Sequence, residues 1–157
     1  MRLGFKLLLI LSLSVFAFAD QERVNFNKEV SFEIYNTVEL IYKNTDDMRR
    51  YSLYIEVEDE YEMSFMVDRK DARESEYTIM SLKHLNTSLK DRLFVIRIDK
   101  DGKMYLIGDD NLLTVDEIIK KQDAILRMLK AYHSELMIRY DKKIGKENYI
   151  KDKFMKL

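Results

Sequence analysis

The sequence predicts an α+β domain in which antiparallel hairpins pack against helices. Three observations carry that expectation: period-two alternation over Tyr51–Val57 and Tyr61–Val67, two β-prone runs flanking Asp101-Gly102, and helical stripes that follow Asn27 and Thr114.

Taken in order, Asn27 stands just before Lys28–Lys43, where Val30, Ile34, Val38 and Ile41 recur at spacings of four, four and three. This is the stripe of a half-buried helix with a plausible N-cap. A strand through Val30, Phe32 and Ile34 would use fewer of the apolar positions. Asn44-Thr45-Asp46-Asp47 reads as a loop. Tyr51, Leu53, Ile55 and Val57, then Tyr61, Met63, Phe65 and Val67, alternate with more polar neighbours on either side of Glu58-Asp59-Glu60. Two such runs predict an antiparallel hairpin with one buried face.

Over Asp71–Asp91 the pattern is ambiguous. Tyr77, Met80, His84 and Ser88 fit one helical line and Leu82, Leu85 and Leu89 another, so a helix is predicted there. Leu93–Ile98 and Lys103–Ile107 flank Asp101-Gly102, a strong hairpin signal because such a turn needs residues that tolerate positive φ. Gly108 to Asn111 forms a second polar turn. Thr114 is placed to cap a helix from Val115 to about Ala131, with Glu117 in capping-box position and Ile118, Gln122, Ile125, Leu126 and Leu129 as its stripe. Beyond it two readings stay open. One helix could run to Lys143 through Leu129, Tyr132, Leu136 and Tyr140 and end at Gly145, or it could stop near Tyr132 and leave Leu136–Tyr140 as a strand. No internal repeat and no low-complexity tract interrupts the chain.

The amino terminus has its own pattern. Arg2 and Lys6 precede an uncharged run from Leu7 to Ala19 that closes on Ala17-Phe18-Ala19, the three parts of a secretory signal peptide. The run is 13 residues long, whereas a helix spanning hydrocarbon takes about 20. The expectation is cleavage after Ala19, with residues 1–19 as signal, residues 20–157 as a single exported domain and a periplasmic location. A short inner-membrane anchor, with Lys6 reaching the headgroups, is the rival. Without Arg2 and Lys6 the chain holds 25 basic and 28 acidic residues. This balance gives no sign of a nucleic-acid partner, which a basic excess would mark. There is no cysteine, which removes disulfides and thiolate metal sites. The absence of proline and the presence of only four glycines argue against long flexible linkers.

Candidate chemistry is sparse. Asp99, Asp101, Asp109 and Asp110 could offer oxygens to a hard cation, but an EF-hand loop needs its glycine at position six, and Gly102 is fourth from Asp99; a plain turn is the better reading. The acidic run Glu56, Glu58, Asp59, Glu60 and Glu62 reads as a solvated hairpin tip. His84 and His133 are the two histidines, and spacing pairs neither with a serine, a cysteine or a second ligand. No phosphate loop, HExxH or GxSxG motif is present. No catalytic, cofactor-binding or metal residue is therefore assigned, no cofactor is expected, and the chain is read as non-enzymatic. Lys142, Lys143, Lys146, Lys151, Lys153 and Lys156 could meet anionic headgroups. Asp141, Glu147 and Asp152 interleave with them, as on an ordinary charged helix face.

Four pieces of the carboxy-terminal part carry a family resemblance: Val95 to Leu106 (Val-Ile-Arg-Ile-Asp-Lys-Asp-Gly-Lys-Met-Tyr-Leu), Leu113 to Ile119, Leu136 to Asp141 and Tyr149 to Met155. In order and spacing, residues 93–157 resemble the periplasmic domain of the ExbD/TolR family, small partners of proton-driven motors in the bacterial inner membrane. The resemblance implies a carboxy-terminal β-β-α-β-α unit with a strand at Leu136–Tyr140. It also implies docking to an envelope or inner-membrane protein, a motor subunit among them, in energy-coupled transport or envelope maintenance. The family's membrane helix carries a proton-binding aspartate. Leu7–Ala19 holds no acid, so no such role is carried over. Residues 27–91 also replace what is usually a much shorter connection. The alternative is a soluble periplasmic adaptor or chaperone-like module of unspecified partner; membrane contact through the amino terminus goes with the anchored reading.

Overall fold

The computed structural model describes residues 21–69, 77–88 and 90–155, with side chains described as far as Lys142. The expected export signal lies outside these residues. β1 (Glu22–Arg23) leads into α1 (Lys28–Asn44), followed by β2 (Arg50–Val57), β3 (Tyr61–Asp68), β4 (Tyr77–His84), β5 (Arg92–Ile98), β6 (Met104–Leu106), α2 (Val115–Lys120) and α3 (Gln122–Met155). The strands form one sheet in the order β1-β6-β5-β4-β3-β2, every pair antiparallel. The fold class is α+β, as the alternation and helical stripes predict.

α1 begins as the sequence indicates, with the Asn27 side chain accepting a hydrogen bond from the Val30 amide at 2.9 Å. Val30, Ile34 and Ile41 are fully buried on its inner face. The first hairpin pairs Leu53 with Phe65 and Ile55 with Met63, so its alternating apolar residues face the same core.

The region after β3 is corrected. Residues 71–76 lie outside the described part, and Tyr77–His84 is a strand, not a helix. Met80 sits opposite Phe65 on one side and Ile96 on the other, and Leu82 opposite Met63 and Phe94. Strand pairing on both edges decides the conformation of a short run in which Ile79 and Met80, on opposite faces, are both apolar. Local periodicity cannot make that distinction. Asn86, at φ 65°, then turns the chain toward β5.

β5 and β6 pair around the predicted Asp101-Gly102 hairpin, with Ile98 opposite Met104 and Ile96 opposite Leu106. Positive φ is needed at Gly102 alone, at +86°, where its amide donates to the Asp99 carbonyl at 2.9 Å. The Tyr35 hydroxyl donates to the Gly102 carbonyl at 2.7 Å, and a β-carbon on Gly102 would lie 2.0 Å from that hydroxyl. Gly102→Val is therefore expected to cost about 1–2 kcal/mol through the left-handed backbone alone, with displacement of Tyr35 in addition. A denaturant midpoint equal to that of the parent protein would contradict this assignment of the turn.

Thr114 caps α2 through a complete capping box with Glu117. At Lys121, φ −98° and ψ 9° interrupt the helix for one residue, and α3 then continues to Met155. The strand implied at Leu136–Tyr140 is thus a second correction, and Gly145 lies inside α3 instead of ending it. Leu129, Tyr132, Leu136 and Tyr140 are all buried, whereas Ile138 is 48% exposed. A strand would have put Ile138 on the same face as Leu136 and Tyr140. The helical stripe leaves it outside. α1 and α3 pack together on one face of the sheet, with the Tyr132 ring 5.0 Å from that of Phe65.

Candidate interaction face

The opposite face of the sheet is defined by the strand registers. One row runs Ser52, Met66, Ile79, Arg97, Tyr105 and Arg23; the next runs Tyr54, Ser64, Ser81 and Val95. Among the described residues no helix packs on these rows. Tyr54 is 48% and Met66 37% exposed, while Ile79, Val95 and Tyr105 are half-buried. Between them the hydroxyls of Ser64 and Ser81 meet at 2.5 Å. Two small residues in the middle of the face leave its centre low.

Charged pairs border this strip. At one end Lys83 lies 3.8 Å from Glu62. At the other, Arg50 is 3.3 Å from Asp68, whose second carboxylate oxygen is buried without a hydrogen-bond partner among the described residues. Arg97 bonds Asp99 at 2.8 Å and covers the Tyr105 ring at 5.2 Å. A hollow of about 890 Å³, open to solvent, is lined by Tyr77, Ile79, Arg97, Asp99 and Ile107. Apolar side chains left without a helix over them and mixed with polar and charged groups match the composition of a non-obligate protein contact surface.

Comparison with family models, curated proteins and solved structures gives no match for this chain. The reading therefore rests on its own residues.

The residues weighed from sequence are dispersed. Asp99 and Asp101 are engaged by Arg97 and Lys103, and among the described residues no group of acids and histidines has the geometry of a metal site. In the acidic tip, Glu58 and Asp59 adopt left-handed backbone. Glu58 is held by Arg127 across 69 residues of sequence, a bond that keeps its carboxyl below the usual carboxylate range. His84 stacks on Tyr61 at 4.9 Å beside a cleft of about 210 Å³, smaller than the ~300 Å³ at which small-molecule sites begin.

His133 lies between α3 and α1, with Thr37 Oγ1 at 3.4 Å and Glu33 Oε1 at 3.9 Å. A hydroxyl, an imidazole and a carboxylate invite comparison with a catalytic triad, but a triad uses both ring nitrogens. Here both contacts fall on Nδ1, and the fully buried Thr37 hydroxyl donates to the Glu33 carbonyl. The group ties the two helices together. Of the basic residues near the carboxy terminus, Lys142 is exposed and the side chains beyond it are not described.

Sequence reading assigned one apolar phase to each strand of the first hairpin and passed over the other. The signal for the second face was present in Phe65-Met66, Ile79-Met80 and Val95-Ile96, where both phases are apolar, as in strands buried on two sides.

Proposed function

We propose that the protein is a non-enzymatic binding module of the cell envelope that docks a partner protein on the helix-free face of its sheet. The observation that carries this is the helix-free face itself, where Tyr54, Met66, Ile79, Val95 and Tyr105 surround the Ser64–Ser81 pair, with Arg97 among them and the Lys83–Glu62 and Arg50–Asp68 pairs at the two ends. This is the adaptor reading of the sequence. Of the pieces that resemble the ExbD/TolR domain, the Asp101-Gly102 hairpin and the Thr114-capped helix have the expected form, but Leu136–Tyr140 lies in α3. The proposal therefore draws on no motor role. The envelope location derives from the signal-like residues 1–19. No described helix is long and apolar enough to cross a membrane.

The test is site-specific photo-crosslinking in cells. A photoreactive phenylalanine at Tyr54 or Tyr105 is expected to capture one discrete partner, and the same group at Phe32, exposed on α1, is not. Ile79→Glu should abolish the crosslink from Tyr54 while leaving the melting temperature within a few degrees, because a half-buried position beside an open hollow lets a carboxylate reach water until a partner covers it. Capture from Phe32 equal to that from Tyr54 would defeat the proposal.

A further inference from the structure

The two edges of the sheet are unlike. β1 is two residues long, whereas β2 is an eight-residue strand without proline, lysine or bulge against β3; its charges, Arg50 and Glu56, stand toward its ends and leave Tyr51 to Ile55 uncharged along the edge. The Arg69 amide donates to the Arg49 carbonyl at 2.8 Å, one step beyond the Arg50–Asp68 pair. Hydrogen-bonded and non-bonded pairs alternate along an antiparallel ladder. Tyr51, Leu53, Ile55 and Val57 therefore turn their backbone groups toward β3. Arg50, Ser52, Tyr54 and Glu56 turn theirs outward, where they meet no partner among the described residues.

We infer that the occupant of this edge is the β2 strand of a second copy, joined antiparallel about a two-fold axis at Leu53 so that two sheets become one. Charge selects this register. A two-fold axis at Leu53 sets Arg50 opposite Glu56 of the second copy, and Glu56 opposite its Arg50, with Ser52 opposite Tyr54 between them. All are hydrogen-bonding positions in both strands. A shift of the axis to Tyr54 sets Arg50 opposite Glu58, beyond the end of β2 and already held by Arg127, and sets Glu56 against Ser52. Within one copy Glu56 faces Glu62 across the ladder; Lys83 takes up Glu62, and Arg50 of the second copy, a largely exposed side chain beside Asp68, would give Glu56 a counter-charge of its own.

α3 gives independent support. It runs beneath β2, with Arg127 bonded to Glu58, the Tyr132 hydroxyl to the Leu53 carbonyl and the Tyr140 hydroxyl near that of Tyr51. His133 marks the side of α3 that faces α1. Ala131, Glu135, Ile138 and Lys142 recur at helical spacing on the opposite flank, the one above the open edge. Ala131 and Ile138 are exposed there. Joining the strands sets this flank against its symmetry mate, covering Ile138 and allowing close approach at Ala131.

Sedimentation of the full chain over a concentration series of about 1–500 µM, a range suited to a small interface, is expected to show a reversible monomer–dimer equilibrium. Hydrogen exchange at the amides of Ser52, Tyr54 and Glu56 should slow as the dimer fills. Glu56→Arg replaces the like charge opposite Glu62 but sets Arg against Arg50 of the second copy, and should weaken the dimer about tenfold or more. Adding Arg50→Glu should restore it. Ser52→Pro deletes an outward amide and should give a monomer. If that variant misfolds, the charge pair still decides. A protein that stays monomeric throughout, a dimer unaffected by Glu56→Arg, or a charge swap that fails to restore association would each overturn the inference.

Discussion

Tyr132→Ala is expected to lower folding stability by about 3–5 kcal/mol, a large share of what holds a domain of this size together. The side chain is fully buried, its ring packs on Phe65, and its hydroxyl donates to the Leu53 carbonyl at 2.8 Å. It therefore links α3 to both strands of the first hairpin. Tyr132→Phe keeps the ring and loses one hydrogen bond, for about 1 kcal/mol. The phenylalanine variant also has a signature in pH. Burial pushes the Tyr132 phenol well above its ordinary value, and burial does the same to Tyr140. Below pH ~10 the phenol is protonated in the folded and unfolded chains alike, and its contribution is complete. Above that pH the unfolded chain releases the proton first, so stability falls by about 1.4 kcal/mol per pH unit for Tyr132. Urea midpoints between pH 8 and about 11 should decline in the parent and decline less steeply in Tyr132→Phe. Parallel curves would show that the hydroxyl is not buried.

Arg69→Leu is expected to cost about 2–4 kcal/mol, because one guanidinium closes the carboxy-terminal end of α1. It donates to the carbonyls of Thr45, of Met48 at 2.9 Å and of Tyr42 at 3.0 Å, and its plane lies 4.5 Å from the Tyr42 ring centre. The Tyr42 carbonyl lies in the last turn of α1, where no helical amide reaches it, the Thr45 carbonyl already accepts the Met48 amide at 3.0 Å, and a bond from a charged donor contributes about 1.5–3 kcal/mol. Arg69→Lys should recover less than half of the loss, since an ammonium cannot reach three separated carbonyls with a planar fork. Thermal melts of the two variants decide the matter. Full rescue by lysine would mean that charge alone matters at this position.

Arg69 also shows where sequence reading stops. Its bonds span 21 to 27 residues, and a single arginine after a strand carries no local mark of that role. Features written within a few residues were legible. Asn27 caps α1, Thr114 and Glu117 form their box, the first hairpin has its expected faces, and Gly102 takes the positive φ its turn requires. β4 was misread because Ile79 and Met80 are both apolar, which blurs period two once a strand has neighbours on both sides. Leu136–Tyr140 was balanced on propensity, and contact of Leu136 and Tyr140 with the core resolved it toward helix. The proposed interaction face was the least visible, since it exists only after six strands from distant parts of the chain are laid in register.

That face can be tested by cysteine protection, because the chain has no cysteine of its own. Single cysteines at Tyr54, Met66, Ile79 and Phe32 would be labelled with a maleimide in the purified protein and again in intact envelopes. All but the half-buried Ile79 position should react readily when purified. In envelopes, labelling at Tyr54, Met66 and Ile79 should fall at least about tenfold, the scale on which a buried contact excludes solvent and reagent, while Phe32 keeps its rate. Equal labelling of the sheet face and Phe32 in envelopes would contradict the assignment of this face as the binding surface.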